Sequence, residues 1–236
     1  MTEDGAVGSL GQQEDVWERE YTYLHSIPGS TRESPAKILV RLWTDAPRLP
    51  ASSLVLDAGC GAGRNALFLA RQGYRVHAID ACSAALRIFR QRLLASPESD
   101  AVNVQQVMLA PPFPMASNFY HAALDMYVSC HIADEASLLS YWNEIHRVLR
   151  PAGLAFAAFF STDDEYYSPL LDRHVPKEEV VRDPVNGIVK RLYTSSHLQS
   201  LFGDRWKLLK FLPLTFPDEV GTRAYMRRVF GLLLQK

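Results

Sequence analysis

Apolar positions along the chain follow two alternating periods. Short strand-like runs occur at Ser53–Leu56, Tyr74–Ile79, Val102–Met108, His121–Val128 and Gly153–Phe160. Stripes at helical spacing lie around them: Ile38, Leu39 and Leu42 within Pro35–Trp43; Ala66 to Ala70; Leu86, Phe89, Leu93 and Leu94 ahead of Pro97; and Leu138, Trp142, Ile145 and Leu149. His121–Val128 is too uniformly apolar for a half-exposed strand, which implies cover on both faces. Strands alternating with helices predict an α/β fold, a doubly wound and mostly parallel sheet with ligands at the carboxyl ends of its strands. The tail reads differently. Thr194-Ser195-Ser196 caps a short helix through Phe202 that Gly203 stops, and Trp206–Leu214 and Tyr225–Leu234 are strands joined by a Pro-rich loop.

The first strand runs into Asp57-Ala58-Gly59-Cys60-Gly61-Ala62-Gly63-Arg64-Asn65, and Asp80 closes the second. A strand that turns through glycines into a helix lets a ligand approach bare backbone at the helix N-terminus. The spacing also satisfies the loose dinucleotide fingerprint. A carboxylate at Asp57 would repel a diphosphate at short range and favour an ammonium. S-adenosylmethionine carries an α-ammonium and a sulfonium and no phosphate. An acceptor-only carboxylate at Asp80 suits a pair of ribose hydroxyls. Charge therefore selects S-adenosylmethionine over a nicotinamide dinucleotide.

The string Leu56 to Leu67, the phrase Gly73-Tyr74-Arg75-Val76-His77-Ala78-Ile79-Asp80 and the stretch Glu144 to Gly153 resemble class I S-adenosylmethionine-dependent methyltransferases, most closely the small-molecule branch that includes the tellurite-resistance enzymes. The resemblance covers roughly residues 50 to 160. It implies a seven-stranded Rossmann-like sheet whose antiparallel last strand inserts beside the fifth, and methyl transfer to a small-molecule acceptor. It places the cofactor against Asp57, Gly59, Cys60, Gly61, Arg64, Asn65, Asp80 and Ala81. The family often carries an acid after the third strand for the adenine amino group; here Met108 and Leu109 stand there, leaving apolar contact and backbone. The usual Phe-Asp before the fourth strand is replaced by Tyr120-His121.

With 236 residues, the chain can bury one sizeable core. Residues 1–14 read as a disordered tail, and 15–236 as one domain with an N-terminal lid segment at 15–50 and an insertion over the site at 161–193. The net charge of −1 supplies no general field for nucleic acid or anionic membrane. Three cysteines, Cys60, Cys82 and Cys130, without C-x-x-C spacing indicate neither disulfides nor a metal site. The polar N-terminus is no signal peptide, and no apolar run approaches the roughly 18 residues of a membrane span. The chain reads as cytoplasmic; oligomeric state is not encoded legibly.

Other candidates have two readings each. Asp125, inside an apolar strand, is costly unless paired and so is a candidate for lining the cofactor site. His131 is a candidate general base, or a structural histidine. Cys130 suits packing, since sulfonium chemistry needs no covalent intermediate. Arg64 and Asn65 either start a helix or orient the methionine carboxylate. Trp17, Tyr21 and Tyr23 either pack on the sheet edge or form an aromatic lid near the sulfonium. Tyr166, Tyr167 and Asp163 to Glu165 line an acceptor pocket or sit in a solvated loop, and Arg223, Arg227 and Arg228 read as solvent-facing. The rival functions are an RNA or protein methyltransferase, a non-catalytic S-adenosylmethionine-binding module and, least favoured, a hydride-transferring enzyme.

Overall fold

In the computed structural model, residues 13–171 and 179–236 are described. The expected tail falls largely on residues 1–12, outside them, as does part of the 161–193 segment. Helices α1 (Glu14–Arg19), α2 (Pro28–Thr31) and α3 (Lys37–Asp45) precede β1 (Leu54–Ala58). Then follow α4 (Arg64–Arg71), β2 (Arg75–Asp80), α5 (Ser83–Leu94), β3 (Val102–Gln106) and β4 (Tyr120–Met126). The chain continues through α6 (Glu135–Val148), β5 (Leu149–Phe160), β6 (Val180–Arg182), β7 (Val189–Arg191), α7 (Ser195–Phe202), β8 (Lys207–Val220) and β9 (Arg223–Gln235). The main sheet has seven strands in the order β3-β2-β1-β4-β5-β9-β8, parallel from β3 to β5, with β9 antiparallel to both β5 and β8. β6 and β7 make a separate two-stranded antiparallel sheet.

The period-2 alternation of the central strands divides the core into two layers. Leu56, Ala58 and Ala123 face the layer built on Leu138, Trp142 and Ile145 of α6. Val55, Ala122 and Leu124 face the layer that holds Ile38, Leu39 and Leu42 of α3, Ala66 and Leu69 of α4, and Phe89 of α5. Each central strand is thus covered on both faces, as a parallel sheet requires. Helix starts follow ordinary capping: Asp134 Oδ1 accepts from the Ser137 N–H (2.7 Å), and Thr194 Oγ1 from that of His197 (3.1 Å). The chain winds outward from β1 to β3 and then returns to β4 on the other side. The β1/β4 gap is therefore the topological switch point, where such sheets bind ligands.

Two expectations are corrected. The Pro-rich loop between the last strands is itself strand: β8 and β9 pair continuously from Lys210↔Leu233 to Val220↔Arg223. Pro213 and Pro217 are tolerated because β8 is the outer edge of the sheet, where a missing N–H breaks no inner ladder. The second correction concerns Gln13, inside the expected tail. It is buried, donating from Nε2 to the His131 carbonyl (2.9 Å) and accepting the Val189 N–H at Oε1 (3.0 Å).

Candidate active site

The glycine turn is forced by its neighbours. Gly59 and Cys60 both donate their N–H to the Ile79 carbonyl (2.8 and 3.0 Å), tying the end of β1 to β2. Gly61 (φ +54°) and Gly63 (φ +83°) occupy left-handed backbone. A Cβ on Gly61 would collide with the Tyr21 hydroxyl, and one on Gly63 with the Phe89 ring. The Gly63 position before α4 has no side-chain cap, and of the first-turn N–H groups that of Ala66 is turned to Asp57 behind the turn.

Two acids flank this turn. Asp80 accepts the Gly61 N–H at Oδ2 (2.8 Å) and the Cys82 N–H at Oδ1 (2.9 Å). Each oxygen keeps a lone pair for a further donor. Burial raises its pKa, and these N–H bonds pull it back. Asp57 is buried behind the turn with Oδ2 unpartnered. Burial first, and Asp80 second, raise its pKa to about 7, against Arg64 and the Ala66 N–H, which lower it. An unpaired carboxyl in that position is stabilised by an incoming cation.

Above the turn lies a cavity of about 620 Å³. Gly59, Cys60, Gly61, Arg64 and Asn65 form its floor, with Asp80 and Ala81 at one side and Met108 and Leu109 beyond them. Asn65 also accepts the Ala36 N–H at Oδ1 (3.0 Å), which anchors the start of α3 and leaves the amide NH₂ free for a ligand. Trp17 and Tyr21 close the cavity from the N-terminal segment, whereas Tyr23 is solvent-exposed. That segment is fastened by Glu18, whose carboxylate accepts the Ser83 and Ala84 N–H groups at the start of α5 (2.5 and 3.2 Å). Glu20 fastens it a second time. Fully buried, Glu20 accepts from the Ile27 N–H (2.8 Å) and the Ser26 and Ser30 hydroxyls (2.7 and 3.1 Å).

Asp125 does not line the cavity, contrary to expectation. Its carboxylate accepts the N–H groups of Val128 (3.1 Å) and Ser129 (3.1 and 3.2 Å), which pins the turn after β4. Asp57 likewise lies behind the wall rather than in it. His131 does reach the cavity, but its Nδ1 must donate to the Val189 carbonyl (3.0 Å), and Trp17 packs edge-on at 4.8 Å. Burial, then the Lys190 charge, lower its pKa to about 3. A neutral imidazole with so little basicity is an acceptor in the wall and a poor proton abstractor near neutral pH. Cys130 is a buried thiol donating to the Tyr127 carbonyl (3.0 Å), which fits packing.

Sequence reasoning missed the opposite wall. Arg227 is buried, with Nε 2.9 Å from Asp164 Oδ2, rather than solvent-facing. Its guanidinium stands over the rings of Phe160 and Tyr167, each at 4.9 Å. Lys190 on β7 is buried, with Nζ over the Tyr167 ring at 5.1 Å. The tip of the β8–β9 hairpin, Phe216 to Val220, completes the enclosure, and Arg32 ties it down through an ion pair with Asp218. The stretch Asp163 to Tyr167 hinted at this wall in the sequence: Tyr167 lines the cavity and Asp164 holds Arg227, whereas Tyr166 does not line it. Among the described residues, no cluster of His, Cys, Asp and Glu could hold a metal ion, and no helix is long and apolar enough to cross a membrane.

Comparison with known proteins agrees with this geometry. Residues 55–153 match the family described as methyltransferase domain. A ubiquinone biosynthesis O-methyltransferase from Methylocella silvestris is 34% identical over 113 residues, which are 48% of this chain and 42% of that protein. The aligned part is thus less than half the length of that curated relative. A S-adenosylmethionine-dependent methyltransferase from Methanosarcina mazei superposes with a TM-score of 0.70 at 20% identity, covering 86% of this chain and 98% of the other. The 1,6-didemethyltoxoflavin-N1-methyltransferase of Burkholderia thailandensis, solved with 1,6-didemethyltoxoflavin and S-adenosylhomocysteine bound, gives 0.67 at 18% identity over 99% and 92%. The shared fold is the Rossmann-like methyltransferase sheet.

Proposed function

Taking as premise that the chain carries a class I S-adenosylmethionine-dependent methyltransferase domain, we propose that it transfers the methyl group to a small molecule enclosed in the cavity above the glycine turn. The observation that carries this reading is the charge of the turn. Two acids flank the glycines, Asp80 partly buried and Asp57 fully buried with one unpartnered oxygen. That environment suits an ammonium and ribose hydroxyls and repels a diphosphate. In this reading Asp80 takes the ribose, Met108 and Leu109 cover the adenine, Arg64 and Asn65 face the methionine end, and Asp57 acts on its ammonium as a charge behind the wall.

When bound, S-adenosylmethionine supplies an activated methyl group on a sulfonium. The residues of this chain supply position and dryness. Trp17 and Tyr21 cover the cavity, and Glu18 and Glu20 hold their segment in place. The hairpin tip closes the far side. Enclosure of this kind fixes the acceptor near the methyl group and excludes competing water. The described wall takes up protons poorly near pH 7: His131 is held at a pKa of about 3, and Lys190, lowered to about 8 chiefly by burial, still carries its proton there. The acceptor therefore arrives deprotonated or as a neutral lone-pair donor.

A concave cavity of this size, partly roofed by Trp17, Tyr21 and the hairpin tip, suits a small acceptor. The relatives support the same reading: one is a ubiquinone biosynthesis O-methyltransferase, and another was solved with 1,6-didemethyltoxoflavin, a small molecule, bound. Incubating the protein with S-[methyl-³H]-adenosylmethionine and either a metabolite extract or total RNA tests the reading. Label should enter low-molecular-weight products; label only in RNA or protein would overturn it.

A further inference from the structure

The wall opposite the glycine turn has donors with nothing to hold. Lys190 is 98% buried by its 2% exposure, and its Nζ has no hydrogen-bond partner. Arg227 spends Nε on Asp164, while its Nη2 is also buried and unpartnered. Both cations stand against the same Tyr167 ring, at 5.1 and 4.9 Å, and both line the cavity. The nearby acids do not neutralise Lys190 by contact. Asp183 Oδ1 accepts from the Val185 N–H (2.9 Å) and the Tyr166 hydroxyl (3.2 Å), and the Glu20 oxygens are taken by Ser26, Ile27 and Ser30. Among the described residues, the other titratable groups acting on Lys190 are Cys130 and His131, both uncharged near neutral pH, and the like-charged Arg227.

A buried cation without a partner is expensive, and its retention beside a cavity points to a ligand that supplies the missing acceptor. Resting on the methyltransferase reading, we propose that Lys190, with Arg227 as second donor, forms an anion-binding pole, and that the methyl acceptor is a small aromatic acid whose anionic oxygen is held there. The aromatic part follows from the surroundings. Phe160 stacks on Tyr127 at 4.8 Å and 25°, and Tyr167 stands edge-on to Phe160 at 5.0 Å, so flat rings border the pole. The anionic oxygen is either a carboxylate or an ionised hydroxyl. In the second case the pole also favours the deprotonated acceptor, which a site that takes up protons poorly near pH 7 requires.

The test is calorimetric titration of the S-adenosylhomocysteine-loaded protein with matched pairs. Benzoates and cinnamates are set against their amides for the carboxylate source, and phenols against their methyl ethers for the hydroxyl source. At least one acid should bind, with its neutral partner about 10-fold or more weaker. Lys190→Met should weaken that acid by about 10-fold to 100-fold while leaving S-adenosylhomocysteine and the neutral partner unchanged, and Lys190→Arg should retain the acid. The ligand-free Lys190→Met protein should melt higher than wild type, because a buried uncompensated charge is gone. No acid outperforming its partner, undiminished acid binding by Lys190→Met, or a lowered melting point would each overturn the proposal. Loss of S-adenosylhomocysteine binding by wild type would instead defeat the cofactor reading, and the same pairs titrated into unliganded protein would then read the pole alone.

Discussion

Replacing Asp57 with Asn should make the ligand-free protein more stable and the cofactor site worse. Asp57 is 1% exposed, and its carboxyl is raised from 3.8 to about 7, chiefly by burial. Between those values the native state binds more protons than the unfolded chain, so stability falls as pH rises. The fall amounts to roughly 4 kcal/mol, from about 1.4 kcal/mol per pKa unit. Asparagine keeps the shape and the acceptor for the Ala66 N–H but never ionises. The stability gain of the variant over wild type should therefore be near zero at about pH 4 and grow toward a few kcal/mol by about pH 8. Asp125, whose pKa is also raised, acts in the same direction in both proteins and cancels in the difference, whereas the Asp57–Asp80 repulsion is lost with the Asp57 charge and is part of the gap. Urea unfolding of both proteins across that pH range reads the gap, and calorimetry with S-adenosylmethionine should show affinity reduced by about 10-fold or more. A variant that is less stable than wild type near pH 8, or a gap independent of pH, would refute the reasoning.

Gly61→Val should abolish S-adenosylhomocysteine binding in calorimetry, because a β-branched residue resists φ +54° and its Cβ collides with Tyr21. Asp80→Ala should do the same while leaving the fold intact by circular dichroism, since it removes the acceptor and two turn hydrogen bonds. Arg227→Met should cost roughly 3 kcal/mol in urea unfolding, because Asp164 stays buried without its counter-charge. Glu20→Ala should weaken S-adenosylhomocysteine binding and increase amide exchange across residues 20–30, because three donors lose their acceptor.

The fold was legible because its central strands are buried on both faces and its helices carry clear stripes. The period change from Val55 to Leu69 and the cap at Thr194 are local signals, and local signals survive in sequence. The glycine turn was legible for the same reason: three left-handed residues between two acids form a contiguous pattern. What failed depended on distant contacts, with Asp125 as the local exception. Asp125 read as a site residue because a buried acid needs a partner, yet its partners are backbone N–H groups three and four residues on, which have no sequence signature. Arg227 read as solvent-facing because its counter-ion, Asp164, lies on another element. Lys190 attracted no notice, since nothing in Val189-Lys190-Arg191 says which lysine faces inward. The prolines of β8 suggested a loop because edge position is a property of the whole sheet.

The central claim is that the acid-flanked glycine turn holds S-adenosylmethionine and excludes a dinucleotide. Isothermal titration of the wild-type protein with S-adenosylhomocysteine and, separately, with NAD addresses it most directly. The account predicts saturable one-site binding of S-adenosylhomocysteine that disappears in Gly61→Val, and no heat from NAD. Binding of NAD, or S-adenosylhomocysteine binding that survives in Gly61→Val, would contradict it.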